Sequence, residues 1–133
     1  MSQSKSRDRR APVLVVDDNT AECGDTVAVL AAAGFAAVPE SEGDAALRHA
    51  RTSLTLLLVS ELYIPCAEGI CIVAVLKGDR ARLPRLRILV HTRHSNDADT
   101  EWALAAGCDA IVYKSSAPGT LVRELGRLEG FAA

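Results

Sequence analysis

The sequence predicts an α/β fold, a doubly wound parallel sheet of five strands, on two observations. Short apolar runs rich in Val, Ile and Leu recur along the chain, and segments with helical spacing of their apolar residues alternate with them. Uninterrupted apolar runs are how strands buried on both faces read, and parallel strands need crossover connections, which helices supply. At 133 residues and 14.1 kDa the chain is long enough for one hydrophobic core and too short for two.

The first strand is PVLVV, from Pro12 to Val16, and it stops at Asp17. Asn19 with Glu22 three residues later forms a capping box, after which Cys23, Val27, Leu30 and Ala31 follow helical spacing up to Gly34. Phe35 to Val38 is a weaker strand closed by Pro39, a residue suited to a sheet edge, and Ser41 opens a helix through Ala45, Ala46 and Leu47. LTLLLVS is a second buried strand, ending at Ser60; Arg87 to His91 is a third. Between them ICIVAVL, from Ile70 to Leu76, is a helix without a charged residue. Ser95 to Ala106 reads as a helix with acidic residues in its first turns and Gly107 behind it, and Ala110 to Tyr113 as the last strand. Ser116, Pro118 and the stripe Leu121, Leu125, Leu128 mark the final helix.

The expected organisation is a disordered tail over 1–11, one domain over 12–128 and a short tail over 129–133. The formal net charge is -2, which supplies no general attraction to nucleic acid. Lys77, Arg80, Arg82, Arg85 and Arg87 read as a solvated basic connection, and Lys5, Arg7, Arg9 and Arg10 as part of the leading tail. No apolar run approaches the roughly 20 residues that cross a bilayer, and MSQSKSRDRR is no hydrophobic signal segment, so the expectation is a soluble cytoplasmic protein without membrane contact. Cys23, Cys66, Cys71 and Cys108 are irregularly spaced and read as reduced thiols.

In doubly wound sheets ligands bind beyond the carboxyl ends of the strands. The polar residues there are Asp17, Asp18, Glu61, Thr92 and Lys114. Adjacent carboxylates at Asp17 and Asp18 repel unless a cation sits with them, and Mg²⁺ suits such oxygen ligands; alternatively one of them caps the following helix. Lys114 suits an ion pair with an acid or a phosphoryl oxygen, and Thr92 a hydroxyl hydrogen bond to the same oxygens.

The segments VLVVDDN, ELYIPCAEG, ILVHT and AAGCDAIVYK together resemble the receiver domains of bacterial response regulators, over about Pro12 to Leu128. The resemblance implies a flavodoxin-like sheet in the order 2-1-3-4-5. It implies an acid pair at Asp17 and Asp18, a Mg²⁺ site formed by Asp18, Glu61 and the backbone carbonyl of Tyr63, and phosphate contacts from Thr92 and Lys114. The position that accepts the phosphoryl group from a histidine kinase falls on Glu61, where the family has an aspartate, and neither Ser60 nor Leu62 is one. Two more departures stand out. Ser115 follows Lys114 where relatives usually have a cis proline, so a trans peptide is expected. Ile111 stands where many receivers place a Tyr or Phe that moves with the Thr, although Tyr113 is near.

Glutamate carries its carboxylate one methylene further out, toward the space of the phosphoryl group. The favoured reading is therefore a receiver-like module that signals by protein–protein contact without aspartyl phosphorylation and is not an enzyme. Its partner would be a signalling protein or kinase, or a second copy in a homodimer. The family register turns Ile72, Val73 and Leu76 to the sheet and Cys71, Ala74 and Val75 outward, so those three, with Trp102, are the candidate interface. With only EGFAA after Leu128, output is expected through this surface. The alternative is a phosphorylatable, Mg²⁺-dependent response regulator. A Mg²⁺-dependent phosphatase of the haloacid dehalogenase type is a further alternative, but it needs an aspartate where Asn19 stands; a flavin carrier would need a phosphate-cradling loop where DDNT places acids.

Overall fold

The computed structural model describes residues 12–52, 57–69 and 71–132. The tail over 1–11, the start of LTLLLVS and Ile70 lie outside the described residues. The elements alternate strictly. They are β1 (Pro12–Val16), α1 (Thr20–Ala32), β2 (Ala36–Glu40), α2 (Gly43–Thr52), β3 (Leu57–Ser60), α3 (Ile72–Gly78), β4 (Arg87–Thr92), α4 (Asp97–Ala106), β5 (Ala110–Tyr113) and α5 (Pro118–Ala132). All four strand pairings are parallel and the order is β2-β1-β3-β4-β5, as expected.

Strand alternation divides the core in two. Leu14, Val16, Leu58, Ile88 and Val90 meet Leu47 of α2, Ile72, Val73 and Leu76 of α3, and Ala103 of α4. Val13, Val15, Leu57, Val59 and Leu89 meet Cys23 and Leu30 of α1 and Leu121, Leu125 and Leu128 of α5. Successive residues of β1 and β3 thus serve opposite layers, which is why these strands are apolar throughout.

Local chemistry sets most boundaries where the sequence placed them. Asn19 caps α1, its side chain accepting the Glu22 N–H at 3.0 Å. Gly107 ends α4 in the left-handed region at φ 101°. At the start of α4 it is Asn96 that caps, accepting the Asp99 N–H at 2.8 Å, so the helix begins two residues after Ser95. β2 runs through Pro39 to Glu40: as an edge strand it pairs only with β1, and the missing N–H is tolerated there. α5 continues past Leu128 to Ala132, so residues 129–132 are its last turn and not a tail.

The outward face expected of α3 is smaller than predicted. Ile72, Val73 and Leu76 are buried as expected and Ala74 is exposed, but Val75 is half-buried against the core. Cys71 is fully buried; it sits at the N-cap with extended backbone, and its thiol donates to the Leu62 carbonyl at 2.9 Å. Extended backbone at the cap turns its side chain off the helical wheel, so the helical register does not apply to it. In the basic connection Lys77, Arg82 and Arg85 are exposed, as expected of a solvated stretch, and two of its cations also hold neighbouring backbone. Lys77 Nζ donates to the Ala105 carbonyl at 3.0 Å, and Arg80 to the Gly107 carbonyl and to Asp109 at 2.9 and 3.0 Å, satisfying the end of α4.

Gly43 opens α2 beneath the loop that follows β3, and a Cβ there would lie 2.0 Å from the Pro65 carbonyl oxygen. Backbone cannot give way as a flexible side chain can. Gly43→Ala is therefore expected to destabilise the fold by about 1–3 kcal/mol in chemical denaturation, the usual range for overpacking. Gly24→Ala, with nothing within 4 Å of its Cβ, serves as the control and should not.

Candidate functional site

Three backbone hydrogen bonds extend the sheet ladder by one residue and align the strand ends. The Asp17 N–H donates to the Glu40 carbonyl at 3.1 Å, Glu61 N–H to Val16 at 2.9 Å, and Lys114 N–H to Thr92 at 2.8 Å. Asp17, Glu61, Thr92 and Lys114 are thereby brought to one end of the sheet, as the sequence predicts. The peptide bonds among the described residues are trans, including that between Lys114 and Ser115.

Lys114 is the centre of the site. Its ammonium lies 2.7 Å from Asp17 Oδ2, 2.6 Å from Glu22 Oε1 and 3.0 Å from Glu61 Oε2, with only 11% of its side chain exposed. Each acid is also held from a second side. Asp17 Oδ1 accepts the Asn19 N–H at 2.9 Å, Glu61 Oε1 accepts the Leu62 N–H at 2.7 Å, and Glu22 Oε2 pairs with Arg93. Burial pushes the Glu61 carboxyl up, but hydrogen bonds from Thr92, Leu62 and Lys114 outweigh it and hold the group below the ordinary glutamate range. The Thr92 hydroxyl also accepts the His94 N–H at 3.1 Å.

Glu22, Arg93 and His91 belong to this neighbourhood although sequence reasoning assigned them no site role. Glu22 was visible only as the last residue of the capping box; its second role needs the packing of α1 beside the end of β5. His91 lies on the α1 side of the sheet, bordering a cleft of about 480 Å³ with Glu22, Asp25, Thr26, Arg93 and Ser95. Burial, reinforced by the Lys114 charge, lowers the His91 pKa, so the ring is neutral at pH 7.

Asp18 is exposed and does not join Asp17 at the ammonium. The Mg²⁺ site implied by Asp18, Glu61 and the Tyr63 carbonyl does not fit this arrangement: both oxygens of Glu61 and both of Asp17 already have partners, and the ammonium stands where their inner oxygens converge. Among the described residues no three His, Cys, Asp or Glu side chains are grouped to hold a metal ion. The cysteines are free thiols.

Two residues beyond Glu61, Tyr63 ties the loop after β3 to α4. Its hydroxyl donates to Asp99, which pushes the phenol up to about 12. Its ring meets His94 edge-on at 5.2 Å and Trp102 at 5.3 Å. Trp102 is half-buried against this ring and the core. Ile111 packs on the same core layer, while the Tyr113 hydroxyl lies 2.6 Å from that of Thr100.

The family model of the response regulator receiver domain matches residues 13–126. The chain belongs to this family. No protein of curated function matches it. Among solved structures, a CheY-like receiver domain from Methanospirillum hungatei is 20% identical, with a TM-score of 0.76 over 92% of this chain and 96% of that one. The chemotaxis response regulator CheY4 of Vibrio cholerae is 23% identical, with a TM-score of 0.75 over 90% and 98%. The receiver domain of a Francisella response regulator is 17% identical, with a TM-score of 0.80 over 92% and 98%. At these identities the structures share the receiver fold with this chain. Membership in the family makes the chain a receiver domain of two-component signalling, whose members typically bind Mg²⁺ at the phosphorylation site and engage histidine kinases and other signalling proteins. No helix among the described residues is long and apolar enough to cross a membrane.

The hydrogen-bonded Glu61 makes stability depend on pH in a defined direction. A carboxyl with a depressed folded-state pKa contributes stability that is complete above the unfolded value of about 4.3 and is lost as pH falls through the lower folded value. The receiver domain should accordingly lose urea resistance below about pH 4.3. Glu61→Gln should cost about 1–3 kcal/mol at pH 7, where a charged hydrogen-bond acceptor is lost, and show a shallower decline in acid.

Proposed function

We propose that this receiver domain signals through protein–protein contact with Glu61 as a fixed charge at the phosphoacceptor position, without aspartyl phosphorylation and without enzymatic turnover. The observation that carries this reading is the position of the Glu61 carboxylate: it already engages Lys114 at 3.0 Å and the Thr92 hydroxyl, the two groups that the family resemblance gives to the phosphoryl group. The extra methylene of glutamate takes the carboxylate to those donors, and each donor is satisfied before any phosphate arrives. In-line transfer depends on placement of the attacking oxygen, and an error of about 1 Å can cost a hundredfold in rate. The Asn19 side chain, committed to the α1 cap, does not supply the acid that a dehalogenase-type phosphatase needs.

The partner is a cytoplasmic signalling protein, a histidine kinase included, or a second copy of the chain. The candidate interface keeps Ala74, the half-buried Val75 and the Trp102 edge, and loses Cys71. If the face pairs with a second copy, sedimentation should give a dimer for the wild type and a monomer for Val75→Glu. A monomer for both would remove the homodimer and leave the heterologous partner.

Mass spectrometry after incubation with acetyl phosphate and Mg²⁺ tests the central reading. Wild type should remain unmodified; uptake by Glu61→Asp alone marks a pocket intact but for its acceptor, and uptake by neither marks a pocket that has lost more than its acceptor, with Lys114 still held by Asp17 and Glu22. Stable phosphate on wild-type Glu61 would instead favour the phosphorylatable, Mg²⁺-dependent regulator.

A further inference from the structure

We propose that the ammonium of Lys114 is the resident cation of the strand-end pocket, and that Glu22 of α1 makes it so by completing a three-carboxylate cage that excludes a divalent metal ion. The three acids come from three different parts of the fold, and their inner oxygens lie 2.7, 2.6 and 3.0 Å from one nitrogen. The ammonium donates hydrogen bonds to Asp17 and Glu22, and the Glu61 carboxylate completes its set of ion pairs. These separations are those of charge-assisted hydrogen bonds, whereas Mg²⁺ demands about 2.0–2.1 Å from its oxygens in near-ideal octahedral geometry.

A divalent ion would have to displace the ammonium, and the ammonium has little room to leave. Its side chain is 11% exposed, and its backbone N–H is fixed to the Thr92 carbonyl. Glu22 is equally fixed. The Asn19 cap holds its backbone at 3.0 Å, and its outer oxygen is buried against the Arg93 guanidinium. The outer oxygens of Asp17 and Glu61 accept backbone N–H groups, so neither acid can turn to a metal without leaving a donor unpaired. Asp18 remains the one acid of the pair in contact with solvent, and a single exposed carboxylate binds Mg²⁺ weakly. The pocket therefore carries the same charge whether or not Mg²⁺ is present, and what separates this chain from a metal-dependent receiver is Glu22 as much as Glu61.

The inference builds on the reading of Glu61 as a fixed charge; phosphate uptake tests that reading, and metal binding tests this one. Mn²⁺ is titrated into the full chain and followed by the loss of its free electron paramagnetic resonance signal, for wild type, Lys114→Met and Lys114→Met with Glu22→Gln. Wild type should show no saturable binding tighter than about 1 mM, the weak end of protein divalent-cation sites. Lys114→Met, left with three convergent carboxylates, should bind at least about tenfold more tightly than wild type, and Glu22→Gln should remove most of that gain. Equal binding by wild type and Lys114→Met, or by the single and double variants, overturns the proposal. Should Lys114→Met not fold, wild type alone decides through Mn²⁺ broadening of its amide resonances. Selective broadening at Asp17, Glu61 and Tyr63 overturns the proposal, and its absence supports it.

Discussion

One buried ammonium organises the functional end of this receiver domain. Lys114 at the end of β5 joins the acids that follow β1 and β3 and one in the first turn of α1, so three stretches distant in sequence share one charge. Removing the ammonium from such a buried group is costly, about 3–5 kcal/mol, because the carboxylates left behind are stranded together without a counter-charge. That cost makes the arrangement mutually dependent: Asp17 and Glu61 tolerate each other because the ammonium is between them, and the ammonium tolerates burial because three carboxylates surround it. Arg93 extends the network outward through Glu22.

A second set of contacts holds the loop after β3 in one place and so holds Glu61. On one side the Ala67 N–H donates to Asp44 of α2 at 2.9 Å, and Arg51 binds both Glu68 and Asp79. On the other side Tyr63 reaches Asp99, His94 and Trp102. Beneath it Cys71 donates to Leu62, and Gly43 leaves room for the Pro65 carbonyl. A loop tied at this many points has few alternative positions. The aromatic group beside α4 also places Trp102 within reach of events at Glu61, through Tyr63 two residues along the chain.

Much of this was legible in the sequence. The order of elements, the buried strands, the Asn19 cap and the Gly107 stop follow from apolar periodicity and from the few residues that satisfy helix ends. The strand-end positions of Asp17, Glu61, Thr92 and Lys114 follow as well, since each strand run ends at or immediately before its residue. Other features read differently in the structure. Cys71 faces inward because an N-cap has extended backbone and leaves the helical register. β2 continues through Pro39 because an edge strand has an unpaired side, and α5 keeps its helix beyond Leu128 to the end of the described chain.

What the sequence by itself determined, then, is which residues stand at the carboxyl ends of the strands, because hydrophobic alternation and turn chemistry are local and have a fixed period. Which of those residues meet was decided only by the tertiary structure. Glu22 and Lys114 are 92 positions apart and come together because α1 packs beside the end of β5. Asp17 and Asp18 are neighbours in the chain, yet one is buried on the ammonium and the other faces solvent, because the chain bends at Asp18 once β1 has ended. The choice between a lysine and a metal ion as the counter-charge is of this second kind, since it depends on three oxygen positions that no local pattern encodes.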